Sequence, residues 1–105
     1  MNQPDLDKNN QNRLSGKVGK KLKSVTGWPI GSNGDNSISF GALPGGFLAN
    51  NYHFYKAQTD ACFWSSSEEY GVTNAYSRNL TVDNDGVNRF VNWKVQGNSV
   101  RCLKN

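Results

Sequence analysis

Apolar positions in this chain come in short alternating runs broken by turn residues, a pattern that predicts strands far more often than helix. The clearest case is a hairpin. Residues 75–82 alternate, with Tyr76, Leu80 and Val82 on one face and Asn79 and Thr81 on the other. Asp83-Asn84-Asp85-Gly86 supplies a turn, and Val87, Val91, Trp93 and Val95 resume the period of two. Gly97-Asn98 marks another turn before a last predicted strand at 99–103. Residues 61–66 form a further strand, with Ala61, Phe63 and Ser65 on one face and Cys62, Trp64 and Ser66 on the other. Because both faces are largely apolar, this strand is expected to be covered on both sides, near the centre of a sheet.

The first half is less regular. Residues 1–12 are rich in Asn, Gln and Asp and lack apolar periodicity, so residues 1–13 read as a disordered polar lead-in to a single domain over 14–105. Leu14, Val18, Leu22 and Val25 recur at helical spacing, but Gly16 and Gly19 each weaken a helix by about 1 kcal/mol. The expectation is a short frayed helix or an irregular loop. The run from Trp28 to Asn36 is dense in turn residues, and Pro29 holds Trp28 extended. Phe40 and Leu43 are predicted to enter the core, and Asn50-Asn51 to turn a hairpin between aromatic flanks.

Composition supports a globular, loop-rich domain. Charged residues are only 19% of the 105, while the twelve aromatics exceed what disordered chains carry. The net charge of +4 is confined to residues 1–24, where six basic side chains, Lys23 among them, face two acidic ones. From 25 onward six basic and six acidic groups balance, which argues against a nucleic-acid or anionic-membrane partner for the folded part. The basic segment reads as a solvated lead-in; the alternative is a polyanion-binding arm, marked by steep salt dependence. The sequence has no apolar run of the roughly 20 residues that a spanning helix needs. It also has no signal peptide, so any export signal is expected to lie outside this chain.

Few groups invite chemistry. Cys62 and Cys102 fit no metal spacing; they either pair, closing a loop of about 41 residues worth about 4 kcal/mol, or stay as free thiols. Asp83 and Asp85 resemble part of a calcium loop, but Lys94 stands where the closing Glu would be, so the turn is read as structural and no metal or cofactor is expected. The serines at 65–67 beside Glu68 and Glu69 lack a nucleophile elbow, and the single histidine, His53, lies in an aromatic run; no enzyme activity is predicted. Aromatic rings beside Asn and Asp side chains suit a sugar platform, although a small Asn-rich domain also needs its aromatics for its core. The candidate ligand-binding residues are His53, Tyr55, Tyr70, Arg78 and Arg89. The two arginines are placed to pair with acids or to stack on rings.

Four blocks recur in a familiar order: G-x-x-L-K-S-x-T-G-W (Gly19 to Trp28), S-F-G-A-L-P-G-G, C-F-W-S-S-S-E and S-V-R-C-L. Together they resemble the C-terminal portion of the Fibrobacter succinogenes major paralogous domain, a family of bacterial surface and secreted proteins. The resemblance implies an α+β, C-type-lectin-like fold related to the sulfatase-modifying factors, mainly short antiparallel strands with long loops and little helix. It also implies an extracellular or cell-surface location. Trp28, Phe40, Leu43, Phe63, Trp64, Val100 and Cys102 are its expected anchors, with Ser66, Ser67 and Glu68 at a strand end that ties down neighbouring loops. The cysteine pair of the sulfatase-modifying active site has no counterpart motif here. The family's upstream C-P-x-G-W and G-W-x-L-P-x-x-x-E-W segments are absent, so a neighbouring segment or another chain is expected to complete the sheet. The functional expectation is a non-enzymatic binding module for a glycan or a surface protein; the alternative is a structural or assembly domain without a small ligand.

Overall fold

The computed structural model describes residues 12–13, 15–68 and 73–102. Short antiparallel strands in two sheets, with very little helix, make a small α+β or mainly-β architecture. In chain order these are β1 (Asn12–Arg13), a 3-10 turn (Ser15–Lys17), α1 (Val18–Leu22), β2 (Phe47–Leu48), β3 (Phe54–Tyr55), β4 (Asp60–Glu68), β5 (Asn74–Thr81) and β6 (Val87–Trp93). The larger sheet has the order β1-β6-β5-β4, and β2 pairs with β3 in the smaller.

The weak helical signal yields one turn and a half. Gly16 and Lys17 both take left-handed backbone angles, so helix begins only at Val18, and Lys23 is already extended. Val18 and Leu22 lie one turn apart and are buried; Val25, beyond the end, is exposed. The turn-rich loop that follows is pinned by amide side chains. Asn33 Oδ1 accepts from the Trp28 N–H, and Asn36 Oδ1 accepts from the Gly41 N–H. The Asn content is thus spent on satisfying loop backbone, as Asx-type turns do.

The predicted hairpin is β5–β6, with Asn79 opposite Asn88 and Asn74 opposite Trp93. β4 joins antiparallel to β5, placing Ala61 opposite Leu80 and Phe63 opposite Arg78. β4 therefore stands at the end of the strand order, not at its centre as its apolar faces suggested. Its outer edge is instead covered by two parallel bridges, Gly46 to Ala61 and Ser99 to Phe63, and this cover buries both Ala61 and Cys62. The expected last strand reduces to that Ser99 bridge within the described residues.

Val18, Leu22, Trp28, Ala42, Ala61, Leu80 and Val87 form the core, with Phe40, Phe63 and Val82 packed against it. Leu43 does not enter it and is 58% exposed. Ala42 takes the inward position because its N–H donates to the Leu22 carbonyl and its own carbonyl accepts from Ser24, so the next side chain turns outward. Val100 and Cys102 are likewise exposed. They follow Ser99, where pairing with β4 ends, so nothing in the sheet draws them inward. Trp64 is half-buried on the face of β4 opposite the core.

Candidate functional site

The Asp83–Gly86 turn does hold a cation, and it is a side chain. Lys23 is 1% exposed; its ammonium donates to the carbonyl of Thr81 and, at 3.1 Å, to that of Asn84. The same nitrogen lies 4.8 Å from the centroid of the Trp28 ring, and the Trp28 indole N–H donates to the Ala42 carbonyl at 2.9 Å. Burial pushes the Lys23 ammonium below its ordinary range, while Asp85 and Asp83 act in the opposite sense. The turn is closed internally, with Asn84 Oδ1 accepting from Gly86 and Thr81 Oγ1 from Asp83. Lys23 therefore does not belong to the solvated basic segment in which its sequence position placed it. No group of three or more potential metal ligands occurs among the described residues.

The more open chemistry lies at the other end of β6. Leu48 and Gly97 exchange backbone hydrogen bonds of 2.8 and 2.7 Å, tying the β2–β3 hairpin to the turn that ends β6. A side chain at position 97 would press on the Leu48 side chain, so the two segments approach closely. The junction encloses a shallow cleft of about 300 Å³ lined by Ala49, Asn50, Val91, Asn92, Trp93 and Gln96. Trp93 is 62% exposed, and Asn50 and Gln96 line the cleft beside it. Gln96 Nε2 donates to Asn98 Oδ1 at 2.9 Å, while the Asn92 amide turns to the other face of the sheet, where its Nδ2 donates to buried Ser77 Oγ at 2.7 Å. β1 pairs only with Val87 and Asn88, so among the described residues no strand covers the β6 edge from Arg89 to Trp93. Such a cleft can cover an apolar ring face and hydrogen-bond to hydroxyls.

The sequence-predicted site residues are not gathered at one point. His53 and Tyr55 lie on the β2–β3 hairpin; His53 is exposed, and Tyr55 packs on Phe47 with ring centroids 5.8 Å apart while its hydroxyl accepts from Asn51. Arg78 and Arg89 are direct cross-strand partners on β5 and β6. Arg78 donates to its neighbour's carbonyl at Ser77, and Arg89 lies over the Tyr76 ring at 5.8 Å. Tyr70 and the side chains of Ser67 and Glu68 lie outside the described residues. Cys62 and Cys102 are both free thiols, the first buried and the second exposed. The cleft itself was missed. Its signal was the alternation that puts Trp93 in register with Val91 beyond the reach of the core, but Asn50 and Gln96 reach it only through the Leu48–Gly97 bridge.

No family model, curated protein or solved structure matches this chain. No described helix is long and apolar enough to cross a membrane.

Proposed function

We propose that this chain is a non-enzymatic carbohydrate-binding module of a bacterial surface or secreted protein. The observation that carries the reading is the exposed Trp93 indole in a cleft lined also by the amide residues Asn50 and Gln96. An indole face covers the apolar C–H face of a pyranose, and amides exchange hydrogen bonds with its hydroxyls. The four sequence blocks and their resemblance to the Fibrobacter succinogenes major paralogous domain, with its C-type-lectin-like fold, support the surface or secreted setting. Titration of the chain with neutral oligosaccharides, followed by tryptophan fluorescence, tests the assignment. Trp93→Ala is expected to abolish binding and to leave the melting temperature unchanged, because the ring is mostly in water. Neutral and acidic glycans that all fail to bind would overturn it.

A second reading, an assembly domain, is favoured by Tyr52, Phe54 and Val95, which are 87%, 76% and 71% exposed. Its signature is concentration-dependent association in sedimentation velocity that Val95→Glu removes.

A further inference from the structure

The face of β6 that carries Trp93 also carries Val91 and Arg89, at steps of two residues. At about 3.3 Å per residue, the Arg89 and Trp93 backbones are about 13 Å apart along one strand. Across on β5, Tyr76 stands opposite Val91 and Arg78 opposite Arg89. One continuous strip thus leads from the cleft, past Tyr76 and Val91, to two arginines. Arg89 leans toward the cleft, since its guanidinium lies over Tyr76, the residue diagonal to it on that side.

Arg78 is half-buried, and burial and then the charge of Arg89 hold its guanidinium below its usual range. Phe63, opposite Arg78 on β4, and Phe40, packed edge-on to it at 5.4 Å, lie beside Arg78 on the same face. Arg101 adds a third guanidinium, 5.2 Å from the centroid of the Phe40 ring. A carboxylate or sulfate reaching Arg78 and Arg89 would accept charge-assisted hydrogen bonds from a rigid donor fork.

We propose that the ligand of the cleft is an acidic saccharide, with Trp93 covering one sugar ring and the Arg78–Arg89 pair taking a carboxylate or sulfate further along the same chain. This rests on the carbohydrate reading above and adds the charge of the ligand.

The test measures affinity, by calorimetry at low and at high salt, for three probes: fully de-esterified oligogalacturonate, its methyl ester, and a sulfated oligosaccharide such as a chondroitin sulfate fragment. De-esterified oligogalacturonate is expected to bind at least about tenfold more tightly than its ester, one such factor corresponding to a single charge-assisted contact. Preference for the sulfated probe over oligogalacturonate would identify sulfate as the recognised group, and the reverse preference carboxylate. Arg78→Gln and Arg89→Gln should each remove the preference while leaving binding of the ester, and Trp93→Ala should remove both. The ester comparison on the wild-type chain needs no substitution, so it holds even if an arginine variant fails to fold. Equal affinity for acid and ester, both lost in Trp93→Ala, would overturn the acidic assignment and leave the carbohydrate reading standing. Acid binding that persists in Trp93→Ala and in both arginine variants, and vanishes with salt, would overturn it in favour of the basic N-terminal arm. No binding of any probe would overturn both.

Discussion

Lys23 is the residue whose role departs furthest from its sequence context. It lies in a run of lysines, yet its ammonium is enclosed by two carbonyls and an indole. A buried charge persists only where its hydrogen bonds are made, and here the acceptors are the backbone of the turn between β5 and β6. Lys23→Met keeps the apolar stem but leaves the Thr81 and Asn84 carbonyls without their donor. Since removal of a buried charge offsets part of that loss, urea denaturation at neutral pH should show a decrease of about 2–3 kcal/mol. Unchanged stability would mean that the carbonyls find water instead. Lys20 and Lys21 lie nearby in sequence and are less buried, so nothing comparable is expected of them.

At the scale of elements, the same turn is held from a second direction. The Lys20 N–H donates to the Asp85 carbonyl at 3.1 Å, so α1 lies directly on the turn. Gly19 makes that approach possible, because a Cβ there would run into the Gly86 carbonyl. Helix propensity alone favours alanine over glycine by about 1 kcal/mol. Gly19→Ala should nonetheless destabilise by about 1–3 kcal/mol, the usual cost of overpacking against a backbone that cannot yield. Thermal melts decide the sign, and a stabilised variant would show that α1 can lift from the turn. Gly19 and Lys23 fasten one contact, so the double variant should lose less than the two single losses together.

For the whole molecule, a domain of this size has a net stability on the order of 5–10 kcal/mol. Loss of the Lys23 contacts is then a large fraction of the total. Titration of Cys62 adds a pH dependence. Burial, and then the negative charge of Asp60, push its thiol up to about 12 from an ordinary value of 9.0. The folded state keeps the proton that the unfolded chain gives up, so this contribution is complete below about pH 9 and is lost as pH rises toward 12. Stability should fall over that window, and Cys62→Ser should flatten the fall. Native alkylation at pH 8 should label the exposed Cys102 alone, with Cys62 reacting only in denaturant. The fold was legible where period and turn chemistry coincide: β5, β6 and their Asp83–Gly86 turn, the Asn50-Asn51 hairpin and the frayed helix. It was less legible where one isolated bridge replaces a strand. Ala42 rather than Leu43 points inward, and β4 is covered by Gly46 and Ser99 rather than by neighbouring strands. Of the candidate site, Arg78 and Arg89 were legible as candidates on the two strands of the hairpin, whereas their direct facing and the Trp93 cleft were not.

Local order in this protein follows from sequence alone, because alternation and turn residues act over a few positions. Strand faces and the hairpin turn are of that kind. Tertiary structure decided what depends on contacts far apart in the chain. The carbonyls that receive Lys23 lie about sixty positions away, and the cleft exists only because Leu48 meets Gly97. No periodicity encodes such meetings. They arise when separate elements bury their apolar faces together and the polar groups trapped between them must find partners.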